Sequence, residues 1–169
     1  MPVRRDTPNS AIDDYIKELL EAKKQLIIKI FAYVGESCVN EARSYNGKQY
    51  TDRTGNLRSS TGYVVVADGN IVQISSFDSK SVAPGYKIIE GKRVKVGGSG
   101  QSGSQDGQSF AMQIASRFPK GICLIVVAGM KYATYVSAKG YNVLDISELL
   151  ADKLVPQMLK QLGVNFKQK

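Results

Sequence analysis

From Ser10 to Tyr45 the apolar residues fall mostly at steps of three and four. The series runs Ile12, Tyr15, Ile16, Leu19, Leu20, Leu26, Ile27, Ile30, Phe31, Val34, Cys38, Ala42 and Tyr45. Side chains at those steps share one face of an α-helix, so the spacing predicts a single long helix with one apolar stripe. Ser10 with Asp13 reads as its N-terminal cap and Asn46-Gly47 as its stop, a break near Gly35 being the competing reading. At 1.5 Å per residue the helix runs about 50 Å, longer than a domain of this size needs. Part of it is therefore expected to project or to pack on a neighbouring subunit.

The pattern changes at Tyr50. A turn rich in Thr, Gly, Asn and Ser, Tyr50 to Ser60, leads straight into β-branched runs at Thr61–Ala67 and Ile71–Phe77. Thr54 or Asn56 is placed to cap a short helical turn carrying Leu57, and Gly62 to swing the chain into the strand. Asp68-Gly69 between the runs predicts a type I′ hairpin. Val64 and Val66 then share a face opposite Val72 and Ile74, while Tyr63 and Val65 point the other way. Both faces are apolar, so helices should cover one and another layer the other.

Residues 78–107 look like an insertion. Tyr86–Ile89 and Lys92–Val96 alternate about Glu90-Gly91 as a second hairpin, with Lys87, Lys92, Arg93 and Lys95 against Glu90 alone. Gly97 to Gly107 has the Gly/Ser/Gln composition of a flexible linker or mobile loop. Beyond it, Phe110, Ile114 and Phe118 mark a short helix over Gln108–Phe118, and Ile122–Ala128 a strand. Gly129 to Val136 places Tyr132, Tyr135 and Val136 on one side of a brief helix ended by Lys139-Gly140. Asp145 with Glu148 caps a last helix, kinked at Pro156. The expected architecture is α+β: one domain over residues 1–169, with a long N-terminal helix packed on a mainly antiparallel sheet, a β-hairpin insertion and C-terminal helices. Residues 1–9 form a basic, proline-punctuated arm.

Charge refines this picture. The chain carries 23 basic and 15 acidic side chains, a net +8. Residues 1–47 are balanced at seven each, residues 48–107 hold eight basic against five acidic, and residues 108–169 eight against three. The excess lies on the sheet and C-terminal helices, which suits a polyanion or an acidic protein surface as neighbour; a solvated, solubilising surface is the competing reading. Histidine is absent, which excludes Ser-His-Asp and Cys-His nucleophile systems and His-based zinc or iron sites. Cys38 and Cys123 sit in apolar patterns without metal spacing and read as packing residues of a reduced, cytoplasmic protein. No signal peptide is visible, and the longest apolar run, Ile122–Ala128, is too short to span a bilayer.

Gly98-Ser99-Gly100-Gln101-Ser102-Gly103 spells G-x-G-x-x-G, a pattern that needs a strand before it, a helix on it and an acid about twenty residues on. The acid is missing, and the run reads as an accident of composition. Asp13, Asp14, Asp52 and Asp145 are explained as turn or helix-start residues. Ser59 and Ser60 lack a visible activating base. The basic hairpin, with Tyr86 beside Lys87, has the mix of charge and aromatic that nucleic-acid binders use, or is an edge strand kept soluble by lysines.

Asp52-Arg53-Thr54-Gly55-Asn56-Leu57-Arg58-Ser59-Ser60, followed by Gly62-Tyr63-Val64-Val65, resembles the signature of tail-completion (head–tail joining, neck) proteins of tailed bacteriophages. Gly129 to Val136 and Ala138 to Leu144, with Tyr132, Ala133, Tyr135 and Gly140, resemble that family's second block. The chain departs from it at Ser137, where the family commonly carries an acid. The resemblance implies an α+β subunit that forms a homo-oligomeric ring in the virion neck between the portal side and the tail. It implies no enzymatic activity and no cofactor or metal. Its partners would be further copies and neighbouring neck, portal-side and tail proteins. Arg53, Arg58, Lys87, Lys92, Arg93 and Lys95 would face either those proteins or packaged DNA. A small basic nucleic-acid-binding module is the alternative.

Overall fold

The computed structural model describes residues 9–44, 50, 54–79 and 82–163. The expected helix stop at Asn46-Gly47 and all of the basic arm but Asn9 lie outside the described residues. Element α1 (Asn9–Ser44) is one unbroken 36-residue helix. Asn9 is already helical, so Ser10 lies within the first turn and is not its cap. Nor does Gly35 break the helix: its bare backbone lets α1 close on the sheet, since a Cβ there would come within 2.5 Å of the Tyr63 ring.

Next come α2 (Asn56–Ser59), β1 (Thr61–Ala67), β2 (Asn70–Ile74), β3 (Val82–Ile89), β4 (Lys92–Gly98), α3 (Gln101–Ala115), β5 (Ile122–Ala128), α4 (Ala133–Ala138) and α5 (Asp145–Gln161). Strands β2, β1 and β5 form one antiparallel sheet in that order, and β3 and β4 a separate hairpin. The fold is α+β.

Strand β1 is the centre of the core, buried at every residue. On one face Tyr63, Val65 and Ala67 pack with Ile28 and Val39 of α1; on the other Val64 and Val66 pack with Phe77, Ala111, Ala115 and Val127. Helices cover both faces. Asp68 and Gly69 take φ of 50° and 83°, the two positive values that a type I′ turn requires. The two-residue turn sets Val66 against Ile71 rather than Val72; a bulge between Val65 and Val66 then shifts the pairing by one and brings Val64 opposite Ile74, where β2 ends. The β1–β2 contact continues through Ser75, whose N–H donates to the Tyr63 carbonyl at 2.9 Å.

The largest correction concerns Gly97–Gly107. From Gln101 this tract is the start of α3 and not a mobile loop. Its buried positions are Gly103, Gly107, Ala111 and Ala115, whereas Phe110 and Phe118 are exposed. Helix α5 packs along α1, tied by a reciprocal buried pair. Ser147 Oγ donates to the Cys38 carbonyl at 2.8 Å, and Cys38 Sγ donates to the Ser147 carbonyl at 3.3 Å. Asp145 is the first residue of α5 rather than its cap. The Asn142 side chain does the capping, accepting the Ile146 N–H at 3.1 Å. Pro156 lies inside α5. Among the described residues no helix is long and apolar enough to cross a membrane.

Candidate assembly surface

The turn that opens β1 is built on backbone geometry. Gly55 sits in the left-handed region at φ 76° and starts α2, so the swing expected of Gly62 happens seven residues earlier. Gly62 instead makes room within β1, where a Cβ would strike the Phe77 ring at 2.3 Å. No side chain caps α2 in the usual way. Thr54 Oγ1 is 3.4 Å from the Asn56 N–H, and the Asn56 side chain turns outward to accept the Gly103 N–H of α3 at 3.3 Å. The short turn is thereby joined to a helix 47 residues away.

Leu57, only 2% exposed, explains why two distant blocks matter together. It packs with Ala133 and Val143, and with Met130, Val136, Ala128, Leu144 and Tyr50 around them. The two stretches that carry the family resemblance therefore meet in one apolar cluster. Thr54, Gly55, Asn56, Leu57 and Ala133 are structural here, setting the corner between sheet and C-terminal helices. Tyr132 and Tyr135 are not part of that core, being 41% and 65% exposed; Ala133 supplies the contact. Lys139 lies over the Tyr135 ring, 5.3 Å from its centroid, and Gly140 closes α4 at φ 75°. At Ser137, the point of departure from the family pattern, the hydroxyl stands 3.4 Å from both Asp145 carboxylate oxygens, so an acid reaches this place from α5.

Two features lie outside the packed body. The N-terminal half of α1 carries Ile12, Tyr15, Ile16, Leu19, Leu20 and Leu26, all at least 40% exposed. Lys23, through a 3.1 Å bond to the Leu162 carbonyl, and Lys24, paired with Asp68 at 2.6 Å, mark where the body begins. The second feature is the β3–β4 hairpin, whose strands, among the described residues, make their extensive contacts with each other and form a sheet of their own. Lys92, Arg93 and Lys95 are exposed on it, with Ile88, Ile89 and Val94. Lys87 lies on β3, its side chain outside the described residues, as is all of Arg53. Arg58 is half-buried within α2.

The G-x-G-x-x-G run has the expected strand before it and, contrary to expectation, a helix on it. Its groups are nonetheless engaged in packing. Ser99 Oγ accepts the Gln101 N–H at 3.3 Å and Asn56 Oδ1 takes the Gly103 N–H, while Cβ atoms on Gly98 and Gly103 would strike the Thr54 and Asn56 backbone. Two of the three motif glycines are thus taken up by backbone packing. Both thiols are free, and burial pushes both up from their ordinary range, which disfavours the nucleophilic thiolate. Ser60 Oγ donates to the Leu57 carbonyl at 2.8 Å. Among the described residues no group of three or more His, Cys, Asp or Glu could hold a metal ion.

One residue escaped the sequence reading. Arg43, in the last turn of α1, donates through Nη2 to the carbonyls of Thr61 at 2.7 Å and Ser76 at 3.3 Å, pinning the helix end to the start of β1 and to the segment that follows β2. Burial lowers its pKa, yet a guanidinium stays charged at neutral pH. Nothing but a cation near a helix end marked it beforehand. Comparison with protein-family models, with curated proteins and with solved structures finds no match to this chain.

Proposed function

We propose that this chain is a structural virion subunit that assembles with copies of itself into a ring in the neck of a tailed bacteriophage, joining head and portal to tail. Self-assembly rests on the α1 overhang. Ile12, Tyr15, Ile16, Leu19 and Leu20 are 40%, 61%, 47%, 47% and 65% exposed along one helix. Contiguous apolar surface of that kind on a soluble chain marks an interaction site. The neck assignment rests on the resemblance of Asp52–Val65 and Gly129–Leu144, whose residues meet around Leu57. In this reading the work is adhesive and no bond is made or broken. The partners are further copies and the flanking neck, portal-side and tail proteins, with packaged DNA within reach of the basic hairpin. The subunit is made in the host cytoplasm and ends in the virion. A ring needs heterologous contacts, one patch meeting a different patch on the next copy. Light scattering with negative-stain imaging of the purified protein tests this: closed rings are expected, and a monomer at every concentration would remove the proposal.

The exposed Lys92, Arg93 and Lys95 favour a second reading, a small nucleic-acid-binding module. That reading requires a monomer or dimer whose DNA affinity falls steeply with salt.

A further inference from the structure

The sheet has an open side. Among the described residues strand β1 has a neighbour on each side and β5 on one side only. Gly129 N–H donates to the Ser60 carbonyl at 3.1 Å and Asp68 N–H to the Gly121 carbonyl at 2.8 Å, which fixes the parity of the β1–β5 ladder. Odd-numbered residues of β5 turn their peptide groups toward β1, so Ile122, Leu124, Val126 and Ala128 turn theirs outward. Among the described residues none of these outward groups is hydrogen bonded.

A groove follows this edge. Because α5 leans on α1 rather than on β5, three adjoining hollows of about 330, 260 and 300 Å³ open between β5 and α5. Asp145, Glu148 and Asp152 line it at helical steps of three and four. They are the only acids among residues 108–169, which hold eight basic side chains. The most basic part of the chain gathers all its acids on one rim.

We infer that this edge and groove receive strand β4 of a second copy of this chain as a fourth strand of the sheet. The inference rests on the self-assembly proposed above and supplies its contact. Strand β4 has the matching charge in Arg93 and Lys95 on one face, Lys92 beside exposed Val94 on the other, and seven residues against the seven of β5. Its partner β3 carries Pro84, which has no N–H to offer, so the outer edge of β4 is the one fit to pair. Main-chain bonds to an open edge supply affinity, and the charges set partner and register. Hairpin to groove is a heterologous contact, the kind that closes into rings.

A charge exchange tests this. One variant reverses the groove, Glu148→Lys with Asp152→Lys; the other reverses the hairpin, Lys92→Glu with Lys95→Glu. Each alone should associate about tenfold or more weakly than the parent, because like charges then face each other. An equimolar mixture should recover rings in which the two alternate. The hairpin residues lie outside the core, so folding of that variant, checked by circular dichroism, isolates the contact. Ring formation by either variant alone at parental strength overturns the groove contact while leaving the ring reading in place. A mixture of two folded variants that stays dissociated also overturns it. A parent that is monomeric at every concentration overturns both.

Discussion

The N-terminal half of α1 and the whole of α3 each carry a stripe of residues at helical steps, with opposite fates. In α1 the stripe is large and apolar, Ile12, Ile16 and Leu19, and lies open to solvent. In α3 it is Gly103, Gly107, Ala111 and Ala115, nearly without side chains, and is buried. Hydrophobic periodicity shows what a helix offers to a neighbour; it does not show that the same chain supplies one. Small residues at a spacing of four mark something else, a close approach of backbones. At Gly103 and Gly107 an added Cβ would come within 2.0 Å of the Asn56 carbonyl oxygen and 2.5 Å of the Ser60 carbonyl oxygen.

The largest effect should come from filling the buried stripe. Gly103→Val or Gly107→Val forces a side chain into backbone that cannot swing aside, and each should cost about 3 kcal/mol or more by urea denaturation. Ser102→Val, on the exposed side of the same turn, should stay within about 0.5 kcal/mol. Equal effects at Gly103 and Ser102 would mean that α3 is not held by close backbone contact.

How much of this was legible follows from the same contrast. Strands β1 and β5 and the turn at Asp68-Gly69 were readable because β-branched runs and turn chemistry are local signals. The β3–β4 hairpin was readable for the same reason, at Glu90-Gly91. Helix α3 was misread, since Gly, Ser and Gln together have the composition of a linker, and Gly and Ser have weak helix propensity. The clue was the four-residue spacing of Gly103, Gly107, Ala111 and Ala115, which carries no hydrophobic weight; their partner, the Asn56–Ser60 turn, lies far away in sequence. Around α4 the spacing did not separate core from surface: Ala133, Met130 and Val136 pack toward Leu57, while Tyr132 and Tyr135 stay exposed. Of the candidate surface, the basic hairpin and the surplus length of α1 could be read from the chain. The acidic groove could not, because it forms only when α5 is laid beside the β5 edge.

A smaller effect on stability, and a large one on assembly, is expected at the open stripe. Leu19→Asp puts a charge on an exposed position and should change unfolding of the isolated subunit by no more than about 0.5 kcal/mol. It should also reduce the particle size seen by light scattering, because a charge is poorly tolerated in the centre of a covered apolar patch. Particles of unchanged size would show that the stripe on α1 does not lie between copies.

The smallest effect sits where the open part of α1 meets the body. Lys24 Nζ donates to Asp68 Oδ2 at 2.6 Å, and Asp68 Oδ1 accepts the Gly121 N–H at 3.1 Å. The Lys24 ammonium first, and the Gly121 N–H with it, hold the Asp68 carboxyl below its ordinary range; Asp68 in turn raises Lys24. A lowered carboxyl pKa contributes stability above its unfolded value, about 3.9, and that contribution disappears as pH falls through the folded one. A raised lysine contributes fully below about 10.4 and loses its share as pH climbs through its folded value. The pair is therefore at full strength between roughly pH 5 and pH 9. Both groups are solvent-exposed, so salt should weaken the effect. Asp68→Asn keeps the turn, since asparagine accepts the positive φ found there, and removes only the charge. At pH 7 and low salt this variant should melt slightly below the parent. At pH 2 the two should melt together, and a gap that persists there would trace the difference to the turn and not to the ion pair.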